Sequence, residues 1–82
     1  MDKRIGTITI LVTDRSMSAQ INPIISDYSD IILCRQGLLF QQRAVAVISL
    51  IVEGSVNQIN ALTGRLGRIA GVETKAVVTK AS

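Results

Sequence analysis

The chain has 82 residues, of which 48% are hydrophobic and only 2% aromatic, and its formal net charge is +3. This length fits one small domain, and no apolar run approaches the roughly 20 residues that a membrane-spanning helix needs. The basic residues are scattered among acidic ones, so the charge alone says little about nucleic acid.

Cysteine usage and hydropathy predict the compartment and the oligomeric state. Cys34 is the only cysteine, which rules out an internal disulfide, and no signal-peptide apolar segment follows Met1, so we expect a cytoplasmic protein. The mean hydropathy is +0.40. A chain this small buries only about 60 to 65% of its unfolded surface, so we expect a homodimer or a dimer of dimers. The alternative is simply a dense aliphatic core.

The first strand is predicted over about Arg4 to Thr13, where β-branched residues alternate between two faces. One face carries Ile8, Ile10 and Val12, and the other carries Thr7, Thr9 and Leu11. The turn that follows contains Asp14 and Ser16, whose side chains can accept hydrogen bonds from the first N–H groups of a helix.

The next helix and strand are less regular in sequence. A helix is predicted over about Met17 to Tyr28 because apolar residues recur with helical spacing. Pro23 interrupts it, which predicts either a kink or a late start that puts Pro23 near the first turn. A second strand is predicted over about Asp30 to Gly37, leading into a loop at Leu38 to Arg43.

The second half of the chain gives clearer signals. Ala44 to Glu53 is apolar on both faces, which is typical of a central strand. Ser55 and Gln58 have the spacing of a capping box at the start of a second helix. Gly71 suits a left-handed residue after that helix, and Val72 to Thr79 is predicted as the last strand. The core stripe of the second helix is Ile59, Leu62, Leu66 and Ile69.

The two halves repeat one another. Ile8–Val12 is followed by Gln20-Ile21-Asn22, and Ile48–Val52 is followed by Gln58-Ile59-Asn60. Each copy has the order of a split βαβ unit. The duplication predicts a ferredoxin-like βαββαβ sandwich, of α+β class, as a single domain over residues 1–82.

That fold orders its antiparallel strands 4-1-3-2 and places both helices on one face. The opposite face would be too apolar to remain in water, so it should pack against a second sheet, or the sheet edges should pair across a two-fold axis. Its predicted members are Leu11, Val45, Val47 and Ile51 among Thr7, Thr9 and Ser49.

Missing residue types exclude most chemistry. The chain has no histidine, which excludes a histidine-based nickel or zinc site and any histidine-dependent triad. A lone cysteine cannot form a Cys-x-x-Cys copper site, and the strands lack the stacking aromatics of an RNA-recognition module. We therefore expect no catalytic residues, no cofactor and no transition metal.

Several segments carry a resemblance that spans nearly the whole chain. They are Ala61–Val72 (ALTGRLGRIAGV), Asp14-Arg15, Ile31-Ile32, Arg35-x-Gly37 and Val47–Gly54. In these the chain resembles the small family of proposed iron-only hydrogenase system regulators, within the ACT-like group, and also the C-terminal domain of nickel-responsive repressors. The resemblance implies a βαββαβ homo-oligomer with a regulatory role.

The ACT-like resemblance also implies a ligand site between subunits. In such dimers the cleft lies between the first loop and helix of one subunit and the second-strand edge of its neighbour. The corresponding positions here are Asp14, Arg15, Ser16 and Met17 against Arg35 and Gly37. Free helix-start N–H groups and arginine favour a small anion or a carboxylate-bearing metabolite. The simpler interpretation is that Asp14 and Ser16 cap a helix and that Arg35 is solvated.

The sequence thus predicts a non-enzymatic, oligomeric regulatory module that senses or transmits a signal through its subunit interface. One alternative is an assembly or adaptor domain that docks a protein partner through the apolar sheet or through the hairpin at Phe40. Another is direct binding of nucleic acid, which the scattered charges do not favour on their own. The arginines available for it are Arg4, Arg15, Arg43, Arg65 and Arg68.

Overall fold

The computed structural model describes residues 3–40 and 45–79, and of Arg15 the backbone only. Its strands form one antiparallel sheet in the order β2-β3-β1-β4. This confirms the ferredoxin-like βαββαβ fold and the predicted strand order. The elements are β1 (Arg4–Val12), a 3-10 helix (Arg15–Met17), α1 (Ser18–Asp27), β2 (Ile32–Phe40), β3 (Val45–Gly54), α2 (Val56–Gly67) and β4 (Val72–Val78).

The core lies between the sheet and the two helices. The residues of β1 predicted for one face, Ile8, Ile10 and Val12, are completely buried. Burying a side chain of this size contributes about 1.5–3 kcal/mol. They join a single cluster with residues from both helices and from the neighbouring strands. The helix residues of that cluster include Ile21, Ile25, Ile59, Leu62 and Leu66. Both helices therefore cover the same face of the sheet.

Helix α1 begins too early for the predicted late start, in which Pro23 would lie near the first turn. It starts at Ser18, directly after the 3-10 helix, so Pro23 lies inside the helix and not in its first turn. The late-start alternative is therefore wrong. A proline at this position has no N–H to donate to the carbonyl of Ala19. The helix remains in place because its inward residues Ile21 and Ile25 are only 1% and 6% exposed.

Helix α2 begins as the sequence predicted. The Ser55 side chain accepts from the Gln58 N–H at 3.1 Å, and the Gln58 side chain accepts from the Ser55 N–H at 2.9 Å. This reciprocal pair is a complete capping box. Gly71, after the helix, has a φ of +77°, which confirms the left-handed residue.

Strand β2 differs from its predicted bounds. It starts at Ile32, and it runs to Phe40 because Leu38 to Phe40 pair with Val45 to Val47. The predicted loop from Leu38 is therefore wrong for residues 38–40, and residues 41–44 lie outside the described part of the chain. Pairing with β3 explains the longer strand, since each added residue extends a ladder that is already aligned.

A bulge near the start of β2 decides which way its side chains face. Ile32 lies opposite Val52, but Cys34 lies opposite Ile51, so Leu33 is an extra residue in the strand. A β-bulge of this kind shifts the alternation of side chains by one position. Beyond it, Arg35 and Gly37 lie on the helix side of the sheet.

Candidate functional site

The loop between β1 and α1 is fixed to the turn that precedes β4. The N–H and the hydroxyl of Thr13 both donate to the carbonyl oxygen of Gly71, at 2.8 and 3.0 Å. A Cβ added at Gly71 would lie 2.8 Å from the Cβ of Asp14. The first loop of the candidate site is thus held in place by Gly71, which follows Thr13 by 58 residues in the sequence.

Asp14 organises this loop through hydrogen bonds to its own neighbours. Its Oδ1 accepts from the Ser16 hydroxyl at 2.6 Å and from the Ser16 N–H at 3.1 Å, and its carbonyl accepts from the Met17 N–H at 3.0 Å. Asp14 is therefore the cap of the short 3-10 helix. Ser16 was expected to accept a bond as a cap, but its hydroxyl instead donates to Asp14.

These bonds lower the pKa of the Asp14 carboxyl below its usual 3.8, first through the Ser16 hydroxyl and then through the Ser16 N–H. Asp14 therefore stabilises the folded protein fully above pH 3.8, and that contribution disappears as the pH falls through the folded value. In Ser16→Ala we expect the Asp14 pKa to rise toward its usual value, because the strongest cause is removed. NMR titration of the Asp14 carboxyl checks this. An unchanged pKa in the variant would assign the shift to the backbone.

Met17 completes the predicted first loop. It is partly buried against the core, and its sulfur accepts from the Gln20 side-chain amide at 3.2 Å. Met17 also precedes α1 without any side-chain cap bond. Its side chain therefore packs partly against the core and remains partly exposed at the loop surface. The backbone of Arg15 lies in the 3-10 helix, within the same short segment.

Arg35 and Gly37 lie on β2, on the helix side of the sheet. Arg35 donates to the Asn22 side-chain oxygen on α1 at 2.9 Å. Gly37 lies opposite Ile48, and an added Cβ would meet only the Val47 carbonyl oxygen, at 4.0 Å. Arg35 is therefore held by a neutral partner and keeps its charge available to a ligand.

Different elements hold the two parts of the predicted site. The first loop follows β1, whereas Arg35 lies on β2, in the row of Leu50 and Ile8, and its side chain reaches Asn22 on α1.

The face of the sheet opposite the helices, called here the open face, is a larger apolar feature. It carries five of the seven exposed large hydrophobic side chains of the described residues. A middle row of polar residues crosses it from edge to edge: Gln36, Ser49, Thr9 and Lys75. The five exposed hydrophobic residues are Ile5, Leu38, Phe40, Ile51 and Val77.

Two hollows indent the open face. One, of about 330 Å³, is lined by Gln36, Gly37, Leu38, Val47 and Ser49. The other, of about 230 Å³, is lined by Leu11, Phe40, Val45 and Val47. Val47 belongs to both hollows, so it lies at the centre of the apolar end of this face.

The arginines that were considered for nucleic acid are dispersed. Arg65 lies 5.5 Å from the centre of the Tyr28 ring and 3.3 Å from the Asp27 carboxylate, so it joins α2 to the end of α1. Arg68 is exposed directly after α2, and Arg43 lies outside the described residues, as does the side chain of Arg15. An arginine engaged like Arg65 has less capacity for phosphate contacts.

Within residues 3–40 and 45–79, no three acidic, cysteine or histidine side chains come together as metal ligands. Over the same residues, no helix has the length and hydropathy to cross a membrane.

Sequence reasoning missed the roles of four residues at these surfaces. Gly71 anchors the first loop, Asn22 holds Arg35, and Ile5 and Val77 extend the open face. The Gly71-Val72 pair was a visible signal for a tight turn, but its contact with Asp14 depends on tertiary structure. The Arg35–Asn22 bond had no sequence signal, because the bulge decides which way Arg35 faces.

The fold and the sequence both match known proteins. The structure of TM1266 from Thermotoga maritima superposes with a TM-score of 0.90 at 34% identity, over 96% of this chain and 100% of that chain. The ACT domain of a Chlorobium tepidum GTP pyrophosphokinase gives a TM-score of 0.71 at 19% identity, over 92% of this chain and 99% of that chain. At this identity the second likeness shows an ACT-like fold alone.

A formyltetrahydrofolate deformylase from Pseudomonas putida KT2440 contains a similar fold. It has a TM-score of 0.65 at 8% identity, over 89% of this chain but only 28% of that chain. No match is found among curated proteins. Residues 4–76 match the family model described as TM1266-like, for which regulation of the iron-only hydrogenase system is a proposed role. The chain therefore belongs to the TM1266-like family of iron-only hydrogenase system regulators.

Proposed function

We propose that this protein is a non-enzymatic, homo-oligomeric regulatory module that transmits a signal by changing its subunit interface. The observation that carries the proposal is the open face. Five exposed large hydrophobic residues and two hollows lie on one surface of a chain whose family is regulatory. Clusters of exposed apolar side chains on one surface mark an interaction site.

A second copy of the chain is the partner that best fits this face. The polar row of Gln36, Ser49, Thr9 and Lys75 crosses its middle and separates two apolar ends. A two-fold axis parallel to the strands, through the middle of that row, places Ser49 against Thr9 and Gln36 against Lys75 of the second copy, and each apolar end against itself. The polar groups can then be satisfied while the hydrophobic residues leave water. Sedimentation velocity at micromolar concentration tests the oligomer, and a monomer would overturn the proposal.

We further propose that a small anionic or carboxylate-bearing metabolite binds at a subunit seam. Asp14, Arg15, Ser16 and Met17 of one protomer would meet Arg35 and Gly37 of the other. Support comes from the neutral partner of Arg35, which leaves the charge of this side chain uncompensated by that contact. Asp14 already occupies the Ser16 N–H, so a bound anion has to rely on the arginines or displace the Asp14 carboxylate.

This ligand site makes a testable prediction. Arg15→Ala and Arg35→Ala should each abolish the thermal shift caused by a stabilising carboxylate, since a ligand stabilises only the state that it binds. A screen of carboxylate-bearing metabolites by thermal shift supplies the probe. Arg68→Ala is the matched control, because it removes an exposed arginine directly after α2 that has no place in the site. A shift that survives both test substitutions would locate the ligand elsewhere.

A further inference from the structure

Strand β2 differs from the other three strands in having no buried side chain. Ile32 is half-buried and each later residue of the strand is exposed, whereas β1, β3 and β4 all contain buried residues. The register of a strand is strongly specified where one of its faces is buried and weakly specified where neither is. Packing in the core therefore does not hold β2 in a single register.

The sequence of β2 places similar residues at consecutive positions. Three pairs have this property: Ile32-Leu33, Arg35-Gln36 and Leu38-Leu39. Consecutive residues of a strand face opposite sides of the sheet, so a shift by one residue replaces each of these side chains by one of the same polarity. Each face of β2 thus keeps its pattern of apolar, polar and apolar positions in either of two registers.

The bulge at Leu33 provides the second register. In the register of the structure, called here the bulged register, Leu33 is the extra residue between Ile32 and Cys34. If the strand beyond Ile32 moves by one residue, the bulge disappears and Ile32–Leu39 face residues 52–45. This is called here the slid register. The ladder then keeps as many paired residues, and the connection to β3 gains only Phe40, so neither register loses backbone hydrogen bonds.

One side-chain contact distinguishes the two registers. Arg35 donates to the Asn22 side-chain oxygen at 2.9 Å, and it can do so only while it lies on the helix side of the sheet. Within residues 3–40 and 45–79, no other side-chain hydrogen bond involves β2. The segment before the bulge is fixed separately, because the Ile31 carbonyl accepts from the Glu53 N–H at 2.8 Å. A slide is therefore confined to the residues after Ile32.

We infer that β2 is a two-position switch, which slides by one residue along β3 between the bulged and the slid register. The slide exchanges the side chains of its two faces. The inference deepens the proposed regulation, and its consequence for the subunit interface rests on that proposal.

The consequence for the interface concerns charge. In the bulged register Gln36 lies opposite Ser49 on the open face, where the proposed stacking sets it against Lys75 of the second copy. In the slid register Arg35 takes the place of Gln36, so two cationic groups face each other and oppose association. A ligand that binds Arg35 on the helix side stabilises the bulged register and, with it, the interface.

Disulfide trapping within one protomer tests the slide. In a Cys34→Ser background, Leu38→Cys with Val47→Cys joins residues that are opposite in the bulged register. Gly37→Cys with Val47→Cys joins residues that are opposite only in the slid register. Opposite residues have Cα atoms about 4.5–5.5 Å apart, which suits a disulfide. Both variants should form the disulfide on oxidation, the second more slowly, because the slid register is the less populated one.

The control pair is Gly37→Cys with Ile51→Cys in the same background. In both registers these residues are about 10 Å or more apart along the strands, whereas a disulfide spans about 7 Å at most. Gly37→Cys with Val47→Cys should cross-link at least about tenfold faster than this control, because the slid register brings its thiols together. Equal rates would overturn the inference.

Asn22→Ala checks what holds the bulged register. It removes the partner of Arg35, so it should raise the rate for Gly37→Cys with Val47→Cys about tenfold. Asn57→Ala is the matched control, since it makes the same change at an exposed residue of α2. If the two substitutions have the same effect, the Arg35 contact does not select the register and the switch is overturned.

Sedimentation velocity of the two trapped proteins tests the link to the interface. The protein trapped in the slid register should be monomeric at a concentration where the protein trapped in the bulged register sediments like the wild type. If both trapped proteins sediment as the same oligomer, the slide does not regulate the interface, and the proposed oligomer stands without the switch. A monomeric wild type would instead remove the proposed function, while the trapping rates would still decide whether β2 slides.

Discussion

Val47→Lys should separate the protein across the open face. Val47 lines both hollows, at the centre of the apolar end of that face. Stacking a second sheet there would bury an ammonium group without a partner, which costs about 3 kcal/mol or more and weakens association about a hundredfold or more. We expect sedimentation velocity to show monomers, or the variant to be insoluble.

The control for this variant adds the same charge on the opposite surface. Ala61 is exposed on α2, so Ala61→Lys should leave the assembly unchanged. Circular dichroism of both variants shows whether the monomer fold survives. If the Val47→Lys variant keeps the wild-type sedimentation coefficient, that result contradicts the open-face interface. Folded monomers of Val47→Lys would support that interface.

Gly71→Ala should be among the most destabilising single-methyl additions in this chain. An L-residue in the left-handed region costs about 1–2 kcal/mol, and here φ is +77°. The new Cβ would also lie 2.8 Å from the Cβ of Asp14. Overpacking of this kind adds about 1–3 kcal/mol, so we expect a total loss of about 2–5 kcal/mol in the free energy of unfolding by urea.

A double variant and a matched substitution separate the causes. Asp14→Gly removes the atom that clashes, so adding it to Gly71→Ala should recover the overpacking part but not the left-handed part. Gly64→Ala makes the same chemical change inside α2, where an added Cβ would meet nothing within 4 Å. It should stabilise the protein by up to about 1 kcal/mol through helix propensity. If Gly71→Ala is as benign as Gly64→Ala, the strained turn has been misassigned.

The sequence was sufficient for the fold because the signals are local. Alternation in β1 identified Ile8, Ile10 and Val12 as the buried side, and all three are completely buried. The capping box of Ser55 and Gln58 located the start of α2. Each signal depends on a period or spacing that the backbone geometry itself imposes. The repeat, with the family resemblance, then supplied the strand order.

The candidate site could be predicted only as a set of positions. The direction of Arg35 depends on the bulge at Leu33, and no residue type in that stretch signals a bulge. The bonds within the Asp14 loop also change what the loop offers a ligand, because the Ser16 N–H is already occupied. Sequence patterns specify which groups are present, whereas their partners depend on contacts between distant segments.

The central place of β1 in the sheet has a consequence for the order of folding. Its ladder partners are residues 46–54 on one side and residues 72–78 on the other. During synthesis β1 therefore emerges long before either partner, whereas β2 and β3 can form a local hairpin as soon as both have emerged. Such non-local pairing slows folding and leaves the apolar side of β1 uncovered for that interval. Until residues 72–78 emerge from the ribosome, the edge of β1 that pairs with β4 stays unpaired. The need for chaperones should therefore be greatest just before β4 is complete.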